Sequence, residues 1–181
     1  DYGLNHSEPV TLDLPISDDN ETASCKDPTG GHWIKEVWFW RYQCANEWAY
    51  LRGGWFTIGG RDYQFSPSGY MMTGFVKRPS GEWMYVDSDG VPVGGWVLDG
   101  VYGGPYWYYL DPATGVMATG WVKDGDTWYY LNPTTGKMMT GWLKDGGAWY
   151  YLKTGSGAMA TGRLRIFWTW YTFSETGQLI S

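Results

Sequence analysis

Residues 120–140 read GWVKDGDTWYYLNPTTGKMMT, and residues 141–161 read GWLKDGGAWYYLKTGSGAMAT. These adjacent copies decide the fold. In the first, Trp121-Val122-Lys123 is a short strand, Asp124-Gly125 carries turn chemistry, and Thr127-Trp128-Tyr129-Tyr130-Leu131 returns. Alternation puts Trp128 and Tyr130 on one face and Tyr129 on the other. Asn132-Pro133-Thr134-Thr135-Gly136 is a loop leading to the next hairpin. A lone hairpin of this size is marginal in water, whereas stacked copies cover each other's aromatic faces.

The same line extends outward. Copies start at Gly54-Trp55, Gly74-Phe75, Gly95-Trp96, Gly120-Trp121, Gly141-Trp142 and Gly162-Arg163, at spacings of 20, 21, 25, 21 and 21 residues. The long interval holds an insertion, VYGGP from Val101 to Pro105, which is expected to distort its hairpin. Gly31 to Gly53 reads as a diverged first copy. The last copy, 162–181, has lost its leading Trp, as expected of a cap. The expected architecture is all-β, a solenoid of six to seven stacked short β-hairpins with almost no helix. Its parts are an acidic segment at 1–30, a degenerate copy at 31–53, aromatic repeats at 54–161 and a capping repeat at 162–181.

Composition agrees. The 181 residues include 27 Gly, 14 Trp and 15 Tyr, with few aliphatics, so aromatic rings are expected to supply most of the buried surface. Net charge is −6, but residues 1–30 hold seven acids (Asp1, Glu8, Asp13, Asp18, Asp19, Glu21, Asp27) against Lys26 alone, leaving the repeats neutral. A neutral array argues against nucleic acid as a partner. No apolar run is long enough to span a bilayer. Cys25 and Cys44, with 18 residues between them, make a poor zinc site; a disulfide is favoured over free thiols and implies an oxidising, extracellular setting. His6 and His32 belong to no triad or metal spacing, and no acid pair stands in a glycosidase setting, so no enzyme and no cofactor is expected. Asp18, Asp19 and Glu21 lack the spacing of a calcium loop.

The Gly-Trp start, the WYYL run and the Met-x-Thr-Gly ending resemble the cell-wall-binding repeat family, best of all its choline-binding modules, over residues 54–181 and loosely over 31–53. The resemblance implies that two aromatics of one hairpin and one of the next enclose a choline head group, often beside a Met. Carried onto this chain, Trp121 and Trp128 form one wall pair, closed by Trp149 with Met138 nearby. Trp142 and Trp149 form another with Met159, closed by Trp168 or Trp170. Trp96 and Trp107 go with Trp128 and Met117; Phe75 and Trp83 keep the aromatic type, with Pro92 in place of Met. Trp55, Tyr63 and Met71 complete the set. Tyr129 and Tyr150 are expected to pack as core.

The chemistry fits independently. A quaternary ammonium offers no N–H donors, so it is held by apolar contact and by cation–π attraction of about 0.5–2 kcal/mol per ring. The implied partner is choline or phosphocholine on cell-wall polymers, bound by a secreted protein at a bacterial surface. Two other readings stay open: α-glucan or host-glycan binding on the same rings, and protein assembly, including a homodimer through the aromatic C-terminal repeat.

Overall fold

The computed structural model describes residues 28–45, 49–100 and 105–181. Among these, every regular element is a short strand and no helix occurs. Antiparallel pairing joins each odd-numbered strand to the next and to no other, so each sheet is one hairpin. In order these are β1 (His32–Lys35) with β2 (Trp40–Gln43), β3 (Gly54–Ile58) with β4 (Arg61–Phe65), and β5 (Gly74–Lys77) with β6 (Trp83–Val86). There follow β7 (Gly95–Asp99) with β8 (Tyr106–Leu110), and β9 (Gly120–Asp124) with β10 (Thr127–Leu131). The last are β11 (Gly141–Asp145) with β12 (Ala148–Leu152), and β13 (Gly162–Ile166) with β14 (Thr169–Phe173). The expected all-β hairpin repeat is the observed fold.

Two compact units divide the chain, 1–71 and 72–181. Each strand that opens a copy in the second unit begins on a glycine in the left-handed region, such as Gly120 at φ 73° and Gly141 at φ 86°. Only glycine takes that conformation without strain, which is why the leading Trp follows Gly. The turn of β9–β10 is Gly125-Asp126 rather than Asp124-Gly125, because Asp124 still pairs with Thr127. The insertion after Asp99 does not distort the described part of its hairpin. Gly95 through Asp99 pair with Leu110 through Tyr106 in the register of β9–β10. Residues 101–104 lie outside the described residues.

Rings fill the buried clusters, as where Tyr42 and Phe65 are packed by Trp33, Trp40, Phe56 and Tyr63, but the strand ends hold aliphatic anchors. The largest fully buried side chains are mostly aliphatic: Leu110, Leu131 and Leu152 close β8, β10 and β12, and Phe65 does so for β4. Each of these strand-end residues sits opposite a strand-opening Gly, so no cross-strand side chain competes for its space. One apolar anchor per hairpin suffices, because the anchors cluster with rings of the preceding copy. Leu152 joins Tyr130 and Leu143, with Trp121, Met139, Tyr150 and Met159 packed around them. Cys44 is buried and not a free thiol; Cys25 lies outside the described residues, as does the acidic segment up to residue 27.

The loops close on side-chain acceptors. Asp111 Oδ1 accepts N–H bonds from Ala113 and Thr114 at 2.9 and 2.8 Å, and Asn132 Oδ1 accepts the same pair from Thr134 and Thr135. These bonds, the Thr114 backbone bond foremost, hold the Asp111 carboxyl below its ordinary value of 3.8. A depressed folded value means that the contribution of this loop is fully present above 3.8 and is lost as pH falls through the folded value. A carboxyl-carbon NMR titration should therefore place the Asp111 midpoint under 3.8. Asp111→Asn should keep the loop closed in acid, as Asn132 would; a normal midpoint would disprove the account.

Candidate functional site

Three hairpins of the second unit, β7–β8, β9–β10 and β11–β12, turn paired tryptophans to one side. In β9–β10, Trp121 is cross-strand from Tyr130, and Trp128 from Lys123. Alternation thus puts Trp121, Trp128 and Tyr130 on one face. The rings of Trp121 and Trp128 meet edge to face, 6.4 Å apart at 85°. Trp96 with Trp107 and Trp142 with Trp149 repeat this geometry, at 6.4 and 6.3 Å.

Tyrosine from the following hairpin closes each corner. Tyr129 stands 4.7 Å from Trp96, Tyr150 4.9 Å from Trp121, and Tyr171 4.9 Å from Trp142. The structure therefore places Tyr150 at Trp121 where Trp149 was expected, and Tyr171 at Trp142 where Trp168 or Trp170 was expected. The reason is alternation: Trp149 shares a face with Trp142, so the residue turned back toward the preceding hairpin is Tyr150. Tyr129 and Tyr150 are walls shared with the Trp pairs rather than core alone. Trp168 is 88% exposed, and Trp170 carries the Arg163 guanidinium at 4.7 Å over its ring.

The methionines also belong one copy earlier than expected. Met138 bridges to Leu131, and its N–H donates to the Trp107 carbonyl at 2.7 Å; Met159 donates to Trp128 at 2.8 Å. Met117 likewise donates to Trp83, so Phe75 and Trp83 have a Met, with Tyr108 4.6 Å from Phe75. At Trp149 the donor is Leu179. The loop of the following copy presses a glycine against each Met: the space a Cβ would take at Gly157 is held by Met138, and at Gly177 by Met159. The cage at Trp96 thus draws on three hairpins. Trp96, Trp107, Tyr129 and Met138 line an open cavity of about 340 Å³ with Gly155 and Ser156 from the loop beyond.

In the first unit, Trp55 and Tyr63 do not share a wall. Trp55 is cross-strand from Gln64, so Tyr63 points from the other face, toward Trp33 at 4.9 Å. Tyr63 and Met71 assemble on Trp33 and Trp40, whose rings meet 6.2 Å apart at 85°, and the Met71 N–H donates to Trp40 at 2.7 Å. Sequence reading missed Trp33 and Trp40, although Trp33, Lys35, Trp40 and Tyr42 keep the register of Trp121, Lys123, Trp128 and Tyr130. Here the rings pack against the buried cluster of Tyr42, Phe65 and Met71. In the second unit the outer tryptophans stay open: Trp107, Trp128 and Trp149 are 42%, 40% and 45% exposed.

The cavity at Trp96 is lined by π faces, a thioether and the hydroxyl-bearing Tyr129 and Ser156, and none of its lining residues is charged. The leading indoles are fixed from outside it: Trp96 Nε1 donates to Asp124 Oδ2, and Trp121 Nε1 to Asp145 Oδ2, each at 2.9 Å. Burial first, then the charges of Asp124 and Asp111, raises the Tyr109 phenol above its ordinary value, keeping the wall beside Trp96 neutral. Exposed rings of this set already hold cations. Lys77 Nζ lies 5.7 Å from the Trp83 centroid, and Lys144 Nζ 5.8 Å from that of Trp149. Such a site suits a cation that brings no N–H donors. Among the described residues, no group of His, Cys, Asp and Glu is disposed to hold a metal.

Residues 104–140 and 118–164 match the choline-binding repeat family. Among solved structures, CbpJ from Streptococcus pneumoniae is similar at 36% identity, over 82% of this chain and 51% of its own, with a TM-score of 0.64. Choline binding protein F from the same organism is similar at 36% identity over the same shares, with a TM-score of 0.62. The modular autolysin LytC of Streptococcus pneumoniae is similar at 28% identity, over 83% of this chain and 33% of its own, with a TM-score of 0.62. The chain spans about half the length of the first two structures and about a third of the autolysin. Comparison with curated proteins finds no match.

Proposed function

The repeats of this chain belong to the choline-binding repeat family, and from that premise we propose that it is a non-catalytic module holding choline or phosphocholine groups of cell-wall polymers, as part of a secreted protein at a bacterial surface. The observation that carries this reading is the open cage of Trp96, Trp107, Tyr129 and Met138, three π faces and a thioether without a charged group. Trimethylammonium methyls need contact and cation–π attraction and cannot use acceptors, so this lining matches them. The Trp121, Trp128, Tyr150, Met159 set repeats the arrangement, and the Trp142, Trp149, Tyr171 set does so with Leu179 for Met. One cage of this kind binds weakly, with Kd on the order of 1 mM. Several on one chain gain avidity toward a polymer bearing many copies of the group. Choline binding protein F has been crystallised in the presence of a peptidoglycan analogue, in keeping with a wall setting for such repeats.

Titration with choline chloride, followed by tryptophan fluorescence and thermal melting, tests the reading. A saturable spectral change and a rise in Tm are expected, with no such change in sodium chloride. Trp107→Ala should remove one site's share of the signal while lowering Tm without ligand only a little, since the ring is 42% exposed. No response to choline, with a response to an isomalto-oligosaccharide, would replace this reading with glycan binding. Silence toward both would return the rings to a packing or assembly role.

A further inference from the structure

The turn of the last hairpin departs from its counterparts. Ile166 pairs with Thr169, so the turn is Phe167-Trp168, where β9–β10 has Gly125-Asp126 and β11–β12 has Gly146-Gly147. Phe167 takes φ 53°, close to the 57° and 54° of Gly125 and Gly146, and among the described residues it alone has positive φ without being glycine. A bulky side chain in the left-handed region is strained, and such strain collects where a function requires it. Phe167 and Trp168 are each 88% exposed.

Charge at this tip changes together with the rings. Residues 120–131 hold Lys123 with Asp124 and Asp126, whereas residues 162–173 hold Arg163 and Arg165 and no acid. The place of Asp124 and Asp145 is taken by Ile166, which turns inward and packs with Tyr151, Ala160 and Phe173. The hairpin is thus anchored from behind, and the two rings stand on a fixed base. Both arginines are exposed and lie over indoles: Arg165 is 5.5 Å from the Trp168 centroid and Arg163 4.7 Å from that of Trp170.

We propose that this tip docks on an anionic phospholipid surface, with Phe167 and Trp168 in the headgroup layer and Arg163 and Arg165 on its phosphates. Indoles favour that level of a bilayer, and a guanidinium bonds phosphate oxygens in pairs. Two rings and two charges make a reversible anchor rather than a span. A second copy of the chain fits the tip less well. A two-fold contact sets the same patch against itself, so the arginines of both copies would meet with no acid on either hairpin. The tip is separate from the cages and stands whether or not they take choline.

Phosphatidylglycerol vesicles are the probe, because they carry anionic phosphate and no choline. The full chain should co-sediment with them, less so as sodium chloride rises, and equally well with choline chloride present to fill the cages at matched ionic strength. Phe167→Gly combined with Trp168→Asp rebuilds the turn of β9–β10. It should melt no lower than the parent, since glycine relieves φ 53°, and should bind vesicles at least about tenfold more weakly, the worth of burying one such side chain. Arg163→Gln and Arg165→Gln should each weaken binding about fivefold and flatten its salt dependence. A parent that stays in the supernatant, or a rebuilt turn that binds as well as the parent, would overturn the proposal. Self-association through the tip without vesicle binding, seen by sedimentation velocity, would overturn it in favour of a second copy.

Discussion

Leu152→Ala is expected to lower the stability of the chain by about 2–5 kcal/mol, the range for emptying a leucine-sized core site. Leu152 is 0% exposed and lies cross-strand from Gly141, whose missing side chain cannot fill the hole. Its neighbours are committed elsewhere: Trp121 to Tyr150, and Met159 to the Trp128 carbonyl. Thermal or urea melting measures the loss. Leu98→Ala is the contrast, since Leu98 is half exposed, and should stay within about 0.5 kcal/mol of the parent. A Leu152→Ala loss no larger than this would mean that the strand-end anchors do not hold the stack.

Trp121→Ala should have the second largest effect, and it should act on stability and binding together. The ring meets Trp128, Tyr130 and Tyr150, and its N–H bonds Asp145. Removing it should cost about 3 kcal/mol, the low end for Trp→Ala because the ring is only half-buried. It also deletes the inner wall of one cage. Trp128→Ala should delete the outer wall at a much smaller cost in Tm, because that ring is more open to solvent. Choline titrations of both variants, beside melting curves, separate the two jobs. Equal destabilisation by the two would make Trp128 part of the packing and remove it from the proposed cage.

These contrasts show what a periodic sequence discloses. The copies of 120–161 made the hairpin, its two faces and the all-β stack readable, because alternation and turn chemistry act within a copy. The phase between copies was not readable. A repeat shifted by one unit reads identically, so nothing local says that Met138 serves Trp107 and not Trp128, or that Tyr150 serves Trp121. That phase comes from backbone bonds running between hairpins, such as Met138 N–H to the Trp107 carbonyl. Trp33 and Trp40 were missed because the turn Glu36–Phe39 is longer than the two-residue turns of β9–β10 and β11–β12 and carries the aromatics Trp38 and Phe39, hiding the Trp–Lys–Trp–Tyr register. Scarce aliphatics pointed to rings as the buried surface, and rings do fill the clusters; what composition did not disclose is the aliphatic anchor, Leu110, Leu131 or Leu152, placed at a strand end where glycine faces it.

Because each Trp pair of the second unit is finished by Tyr and by Met or Leu from the hairpin after it, a cage is a joint rather than a part. Occupancy of that joint can occur only when both neighbours are folded, so every bound cation acts as a rivet across one interface. In a row of units coupled only to neighbours, strengthening each joint lengthens the stretch that folds and unfolds together. Ligand should therefore sharpen the melting transition as well as raise it. Removing a hairpin erases the joint behind it, so the number of binding sites falls by one upstream of the cut.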